Sequence, residues 1–191
     1  MKRPGLLIAL AVMLAAQDAP KGPEILRPLD GSVLASGNVS FVARVNGPAK
    51  LLVDGKPAPA VNPAPNALMA TLKLEPGAHE LVLDLGSAKQ TAKVFVGTGS
   101  APAGFEPFRA HPPTAATCDA CHAVKDNVWA LKFDTTAEAC MKCHDATQFP
   151  KKHTHVVNVL EECQMCHMPH GSKAASHLKM NKETACKQCH G

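Results

Sequence analysis

The chain has 191 residues and a formal net charge of +4 at pH 7, with 46% apolar, 19% charged and 4% aromatic residues. This apolar fraction excludes a chain that is disordered throughout, and the length leaves room for two small domains. The weak positive charge alone would permit an anionic partner such as nucleic acid.

The N-terminus has the pattern of a secretory signal peptide. Lys2 and Arg3 precede an apolar run from residue 6 to residue 16, and polar Gln17 and Asp18 follow. The run is shorter than the roughly 20 apolar residues that cross a bilayer. We therefore expect residues 1–16 to be removed and the protein to be periplasmic or extracellular, with no integral membrane segment left. An uncleaved N-terminal anchor is the alternative.

Residues 24–97 predict a small all-β sandwich. Turn signals such as Asp30-Gly31 and Pro76-Gly77 separate its β-prone runs, which are 39–45, 51–54, 67–74, 79–85 and 91–96. In the first run, apolar Val39, Phe41 and Ala43 occupy alternate positions, as expected of a half-buried strand. Several short strands at this spacing are typical of an antiparallel sandwich.

The same segment resembles bacterial immunoglobulin-like domains of exported proteins. The resemblance rests on three stretches, which are Ile25 to Val33, Val53 to Lys56 and Leu74 to His79. The segment contains no cysteine, so we expect it to bind or position something without redox chemistry. Residues 98–110 follow and begin with a Gly/Ala/Pro/Ser stretch, which predicts a flexible linker.

Four Cys-x-x-Cys-His motifs in the remaining residues use all eight cysteines, and they are Cys118/Cys121/His122, Cys140/Cys143/His144, Cys163/Cys166/His167 and Cys186/Cys189/His190. Two thiols at this spacing can add to the two vinyl groups of one haem, and the following imidazole then becomes the proximal iron ligand. Zinc sites, redox-active dithiols and disulfides also use Cys-x-x-Cys pairs, with zinc as the main alternative, but none requires the histidine. The motifs therefore predict four covalently attached haem c groups. That prediction also favours export, because bacteria attach haem c outside the cytoplasm.

An internal repeat organises this region. The first cysteines lie at positions 118, 140, 163 and 186, which gives spacings of 22, 23 and 23 residues. Aligning the halves places His111 near His155, and Leu131-Lys132 on Leu178-Lys179. We therefore expect a tetrahaem domain over residues 111–191, built from two dihaem repeats, 111–144 and 153–190. Its fold should be mostly helical and irregular, with short helices over 136–144 and 182–190.

The second half resembles the doubled CXXCH cytochrome family. The stretch Cys163 to Ser172, which contains Pro169-His170-Gly171, and the motif from Cys186 to His190 carry the resemblance. It implies closely packed haem pairs, bis-histidine iron and electron transfer. The first half departs from the pattern, because Lys125 stands where the second half has His170.

Five further histidines are candidate distal ligands for four irons, and they are His111, His153, His155, His170 and His177. His111 and His155 recur at matching places in the two repeats. His170 lies too close to proximal His167 to reach the same iron and would bind a neighbouring one. The fourth ligand is His153 or His177. Met180 is the competing ligand, and His79 is interpreted as an exposed polar residue rather than a ligand.

The haems also change the charge and the packing. Loss of Lys2 and Arg3 lowers the charge from +4 to about +2, and four ferric haems with their propionates bring it to about −2, so no nucleic-acid partner is indicated. About 87 residues without tyrosine cannot bury a large core, so the haems must supply it. Trp129 and Phe133 are expected to pack on a macrocycle.

These features predict an electron-transfer protein without enzymatic activity. It would carry electrons along bis-histidine haems, either between redox partner proteins of a respiratory chain or to an extracellular acceptor. Anaerobic respiration is included among these chains. The sandwich would serve as a docking module. One alternative is a subunit of a haem-lined extracellular filament or a larger surface cytochrome complex. A multihaem reductase of nitrogen or sulfur oxides is less favoured, because it needs an iron with an open coordination position.

Overall fold

The computed structural model describes residues 22–111, 118–144 and 162–190. The expected signal peptide, His153 and His155 lie outside the described residues. Among the residues that are described, no helix is long and apolar enough to cross a membrane.

Nine strands form the N-terminal region. They are β1 (Glu24–Arg27), β2 (Ser32–Leu34), β3 (Asn38–Arg44), β4 (Lys50–Val53), β5 (Lys56–Ala58), β6 (Val61–Ala64), β7 (Ala67–Lys73), β8 (Gly77–Asp84) and β9 (Lys89–Val96). Strands β3, β4, β7, β8 and β9 confirm the five predicted runs with shifts of one or two residues at their ends. The short strands β1, β2, β5 and β6 were not predicted.

The strands form two sheets with the connectivity of an immunoglobulin domain. One sheet has the order β1-β3-β7-β6, and the other contains β2-β9-β8-β4-β5. The first order corresponds to A-B-E-D of that fold, and β9-β8-β4-β5 of the second sheet corresponds to G-F-C-C′, with β2 added beside G. Strand β2 runs parallel to β9, whereas the other pairs of these nine strands are antiparallel. The predicted all-β sandwich is therefore confirmed.

The inner faces of the two sheets share one hydrophobic core. Phe41 of β3 and Leu68 of β7 meet Leu81 and Leu83 of β8 and Val94 of β9, and all five are almost fully buried. Burial of each such side chain stabilises the fold by about 1.5–3 kcal/mol. The sandwich thus has a core of its own.

The segment expected to be a flexible linker contains two strands. Strand β10 (Glu106–Pro107) adds to the second sheet beside β2, and β11 (Arg109–Ala110) pairs with β14 (Gly171–Ser172) of the C-terminal region. Between them, the Phe108 side chain packs against the sandwich core, and its N–H donates to Val33 O at 2.9 Å. Residues 106–110 therefore join the two regions by paired backbone rather than by flexible chain.

The C-terminal region is built from short elements. Besides β14, its described part contains α1 (Cys118–Cys121), β12 (His122–Lys125), β13 (Val128–Leu131), α2 (Thr136–Met141), two 3-10 turns (Cys163–Met165 and Ala175–His177) and α3 (Lys182–His190). Asp126 and Asn127 both have positive φ, as a two-residue hairpin between β12 and β13 requires. The expected helices begin as predicted, although α2 ends at Met141.

Matching contacts occur in the two repeats. In the first repeat, His122 pairs with Leu131, and the Lys132 N–H donates to Cys121 O at 2.8 Å. In the second repeat, His167 forms a β-bridge with Leu178, and the Lys179 N–H donates to Cys166 O at 2.8 Å. The alignment of Leu131-Lys132 with Leu178-Lys179 is therefore confirmed. In each repeat, a strand-like segment returns to the CXXCH motif and closes it.

Candidate haem-binding sites

The first motif presents its histidine next to an aromatic wall. Helix α1 contains Cys118 and Cys121, and His122 begins β12. Because β12 and β13 are paired, the Trp129 ring comes to lie against the His122 ring, with centroids 5.7 Å apart and planes 16° from parallel. Burial lowers the pKa of His122, which leaves its imidazole uncharged at neutral pH. A neutral imidazole is the form that binds a metal ion.

His170 faces His122 across this site. The two ring centroids are 6.1 Å apart and the planes differ by 19°. Burial lowers the pKa of His170 to about 4, and the neighbouring charges of His122 and Arg27 act in the same direction. His170 therefore also carries a free lone pair at neutral pH.

A second imidazole pair joins His111 and His144. Their centroids are 5.9 Å apart and their planes differ by 25°. His111 Nδ1 lies 2.9 Å from Pro169 O, so this nitrogen donates and Nε2 keeps its lone pair. A backbone carbonyl on Nδ1 is the usual way to fix the orientation of a metal-binding histidine. His177 approaches the same ring edge-on at 5.0 Å.

Both pairs have the separation that one iron requires. An imidazole nitrogen lies about 2.0–2.1 Å from a bound first-row metal ion, so two rings on opposite sides of it have centroids roughly 6 Å apart. The distances of 6.1 Å for His122–His170 and 5.9 Å for His111–His144 match this value. By its spacing, each pair could hold one iron, with one ligand from a CXXCH motif and one from elsewhere.

The third and fourth motifs present their histidines differently. His167 Nδ1 donates to Ser176 O at 2.8 Å, which leaves Nε2 for a metal. His190 ends α3 and is exposed. The distal candidates His153 and His155 fall outside the described residues, so their positions relative to His167 and His190 are not described. Burial is the main cause that lowers the pKa of His177, and the proximity of His111 and His167 lowers it further.

None of the eight cysteines, all of which the structure describes, forms a disulfide. Cys140 of the second motif lies in hydrogen-bond contact with Cys163 of the third. Burial, followed by the proximity of Cys163, raises the pKa of Cys140 to about 11. Burial also raises the pKa of Cys121, and the nearby Cys143 and Cys118 thiols raise it further. Thioether groups formed on the first three motifs would therefore be neighbours.

The cysteines of the fourth motif lie at the surface. Cys186 and Cys189 are both exposed in helix α3. Helix α3 has no buried residue, because charged and polar side chains surround its two cysteines. Residues three apart lie on the same side of a helix, so Cys186 and Cys189 still present their thiols together. Their role in holding a fourth haem therefore stays a prediction.

Two aromatic residues and one methionine complete the comparison with the sequence. Trp129 lies on His122, and Phe133 lies under the Lys142 ammonium at 5.5 Å. Met180, the competing ligand, accepts a hydrogen bond from Gln188 Nε2 at 2.8 Å.

His79 is not the exposed residue that the sequence predicts. Its side chain is 14% exposed and bonds to Asp54 Oδ2 at 2.7 Å and to Glu75 O at 2.8 Å. It lies within the sandwich strand β8 and holds the β4–β5 turn. The physical reason is that Asp54, with positive φ in that turn, turns its carboxylate back onto β8.

Two sandwich residues beside the first motif were missed by the sequence reasoning. Arg27 is buried at the end of β1, and Asn66 bonds to the backbone of Trp129. A charged residue in the apolar run Ile25-Leu26-Arg27 was an available signal. Nothing in the sequence marks Asn66, which lies 63 residues from Trp129.

Comparison with known proteins supports the chemistry of the C-terminal motifs. Residues 155–191 match the family model described as "Doubled CXXCH motif". No curated protein matches the sequence. The doubled motif indicates covalently bound haem c and a multihaem cytochrome involved in electron transfer.

Similar solved structures cover the N-terminal region. Fibronectin(III)-like modules of Clostridium thermocellum CbhA have 23% identity and a TM-score of 0.32, over 41% of this chain and 99% of theirs. The titin M3 domain has 16% identity and a TM-score of 0.28, over 41% and 97%. An FMN-binding beta-glucuronidase from Facaelibacterium prausnitzii L2-6 has 16% identity and a TM-score of 0.34, over 45% and 13%.

Proposed function

We propose that this protein is an exported tetrahaem c-type cytochrome that carries electrons by outer-sphere transfer between redox partner proteins or to an extracellular acceptor. It is not an enzyme in this proposal. The observation that carries it is the placement of two imidazole pairs, His122–His170 and His111–His144, at the separation of axial ligands on one iron.

The chemistry follows from the ligand sets. The two cysteines of each motif would hold the macrocycle by thioether bonds, and the histidines would occupy both axial positions. An iron with two histidine ligands has no open position for a substrate, so it can only accept and release one electron at a time. The protein's own residues would orient the imidazoles. His111 is fixed by Pro169 O, and His170 is kept neutral by burial.

The sites are also arranged for transfer from one haem to the next. His111 bonds to the carbonyl of Pro169, the residue just before His170, so the proposed distal ligands of two irons lie side by side. Cys140 contacts Cys163, which brings the second and third attachment points together. An electron that enters one of these sites would therefore find its next acceptor close by.

The exposed fourth motif would suit exchange with a partner. Cys186 and Cys189 lie at the surface on α3, so a haem attached there would have one edge open to solvent. Outer-sphere transfer between proteins needs such an accessible edge at one end of the haem chain. The fourth haem is therefore proposed as the point of electron entry or exit.

The ligand assignment crosses the two repeats. His170 of the second repeat would complete the iron of the first motif, and His111 would complete the iron of the second. The first repeat is then unable to complete the iron of its first motif alone, because His170 belongs to the second repeat. This supports one continuous tetrahaem unit rather than two independent dihaem units. His155, with His153 or His177, would supply the remaining distal ligands.

The haem content is tested by intact mass of the purified secreted protein. We expect the mass of the polypeptide without residues 1–16 plus four haems. Zinc in the motifs, disulfides between them or fewer than four haems would contradict the proposal. Slow, substoichiometric carbon monoxide binding by the reduced protein is expected, and rapid binding at one haem would favour the reductase alternative.

The ligand pairing is tested by His170→Ala. Loss of this imidazole should convert one of four low-spin EPR signals to high spin, or to a replacement ligand, and raise the potential of that haem alone. The matched control is His79→Ala, which removes a histidine held by Asp54 in the sandwich and should leave all four signals unchanged. An unaltered spectrum for His170→Ala would overturn the assignment.

A further inference from the structure

The strand pair β11–β14 presents two proposed iron ligands from neighbouring positions. Its antiparallel register pairs Ala110 with Gly171. His111 directly follows Ala110, and His170 directly precedes Gly171, so both histidines leave the ladder at the same end. His111 Nδ1 also lies 2.9 Å from Pro169 O, which ties the two ligand-bearing segments to each other.

The two histidines serve different irons in the proposed function. The His170 ring faces that of His122 with centroids 6.1 Å apart, and the His111 ring faces that of His144 at 5.9 Å. His122 begins β12 and His144 follows α2, so neither proximal partner belongs to the ladder. A displacement of the ladder would therefore change both axial pairs together.

Phe108 connects this ladder to the sandwich. Its side chain packs against the sandwich core, and its N–H donates to Val33 O at 2.9 Å. The same ring closely approaches the ladder, because a Cβ on Gly171 would lie 2.5 Å from Phe108 Cζ. Gly171 is buried and has φ of +122°, so glycine permits both the backbone conformation and the close approach. Phe108 thus touches the sandwich on one side and the ladder on the other.

Further hydrogen bonds make the ladder more rigid than two residue pairs alone would be. Ser172 is 2% exposed, and its hydroxyl donates to Leu178 O at 2.5 Å and accepts from Ala174 N at 2.9 Å. Arg109 Nη1 donates to Lys173 O at 3.0 Å across the pair. We therefore expect the ladder to move as a unit when its seat on the sandwich is changed.

On the basis of the proposed cytochrome function, we propose that Phe108 is a positioning residue for two haem irons at once. By seating the β11–β14 ladder on the sandwich, it sets the orientation of His111 and His170 relative to their proximal partners. Residues behind a metal ligand commonly fix its orientation in this way. The sandwich would thus determine axial geometry in the haem region, in addition to any docking role.

The test is low-temperature EPR of the purified four-haem protein. The g values of a low-spin iron with two imidazole ligands depend on the angle between the ring planes, which is 19° for His122–His170 and 25° for His111–His144. In Phe108→Ala, we expect the g values of two of the four signals to shift and the other two to keep their wild-type values. His170→Ala and His111→Ala identify the affected pair, because each should remove one of these two signals.

Matched variants separate positioning from general loss of packing. Phe95 of β9 is also a partly buried phenylalanine of the second sheet, but it alternates with buried Val94 and Val96 and lies on the opposite face. Phe95→Ala should therefore leave all four signals unchanged. Phe108→Met keeps an adaptable apolar side chain long enough to reach Gly171, and should retain g values close to wild type. If Phe108→Ala does not fold, Gly171→Ala disturbs the same contact from the ladder side and should shift the same two signals.

The outcomes distinguish this inference from the proposed function. Unchanged g values in Phe108→Ala, a change in all four signals or a change in one signal alone would each overturn the positioning role of Phe108. A shift in two signals other than those removed by His170→Ala and His111→Ala would overturn it as well. The proposed function would stand in each case, whereas absence of covalent haem in the wild-type protein would overturn the proposed function.

Discussion

The two regions of this molecule obtain their order from different sources. The sandwich buries a core of 13 apolar residues between two sheets, whereas Ala139 is the one buried apolar side chain among the described residues of the C-terminal region. Several of its chemically active side chains are instead partly buried, among them Cys121, His122, Trp129 and His170. The comparison indicates that one region folds on its own side chains and that the other depends on the groups attached to its motifs.

The two regions nevertheless meet through specific contacts. Strand β11 pairs with β14, and Lys173 Nζ donates to Asp30 O at 3.1 Å. The side chain of Asn66, in the sandwich, forms two hydrogen bonds with the backbone of Trp129. A region without much core of its own is therefore held in place by one that has a core, and this arrangement can be broken at several points.

Production of the full chain without haem attachment should have the largest effect. Residues 118–190 should then lose amide hydrogen-exchange protection, because the groups that fill their interior are missing. Strands β3, β7, β8 and β9 should keep their protection, because Phe41, Leu81 and Leu83 still form a core. Hydrogen exchange with mass spectrometry measures both. Equal loss in the two regions would mean that the sandwich does not fold independently.

Gly171→Ala should have an intermediate effect, at the contact between the regions. Gly171 has φ of +122°, and a Cβ there would lie 2.5 Å from Phe108 Cζ and 2.6 Å from Arg109 O. The clash and the strained backbone should cost about 1–3 kcal/mol. The haem region should become less stable to urea and Phe108 more accessible, as followed by haem absorbance and hydrogen exchange.

The control for that substitution is Gly104→Ala. Gly104 also has a positive φ, of +86°, but a Cβ there would meet nothing within 4 Å. It therefore reports backbone strain without the clash. Equal effects of the two variants would show that the close approach of Phe108 to Gly171 contributes nothing to the joining of the regions.

The smallest expected effect is confined to the sandwich and depends on pH. Burial would lower the pKa of His79, but its bonds to Asp54 and Glu75 O raise it above 6.5. Burial would raise the pKa of Asp54, but the bonds from His79 and Glu80 N lower it below 3.8. His79 therefore contributes fully below pH 6.5 and less as pH rises through its raised pKa. Asp54 contributes above pH 3.8 and less as pH falls through its lowered pKa.

Asp54→Asn should accordingly lower sandwich stability by up to about 1 kcal/mol, most strongly between about pH 4 and 6.5. Urea unfolding at pH 3, 5.5 and 8 measures this. The control is Asp84→Asn, because Asp84 pairs with Lys89 and has no histidine partner. Its effect should not change between pH 5.5 and 8. A pH-independent effect of Asp54→Asn would exclude the charged pair.

The elements with regular local patterns could be predicted from the sequence. Alternation in 39–45 predicts β3, and the burial of Val39, Phe41 and Ala43 confirms it. The strands β2, β5 and β6 are three or four residues long and carry little periodicity, so they could not be recognised. Residues 106–110 have the composition of a linker because their order comes from partners far along the chain, at Val33 and Gly171.

The same distinction applies to the candidate site. The CXXCH motifs and the matched positions Lys132 and Lys179 are local or repeated, so they were accessible to sequence reasoning. The contact of Asn66 with Trp129 depends on how the two regions meet. No periodicity or spacing encodes such a contact, nor the exposure of Cys189. The ligand roles of the histidines remain predictions for the variants described above.

The outer strands of the sandwich share one feature. The edge strands are β1 and β6 in the first sheet and β5 and β10 in the second, and each has proline within or beside it. Pro23 and Pro28 flank β1, Pro63 lies in β6, Pro57 lies in β5 and Pro107 lies in β10. Proline has no N–H to donate to a further strand. The sheet edges are thereby protected against strand-by-strand polymerisation and amyloid-like aggregation. If copies of this protein assemble into a filament, the joint should be made by surfaces other than these edges.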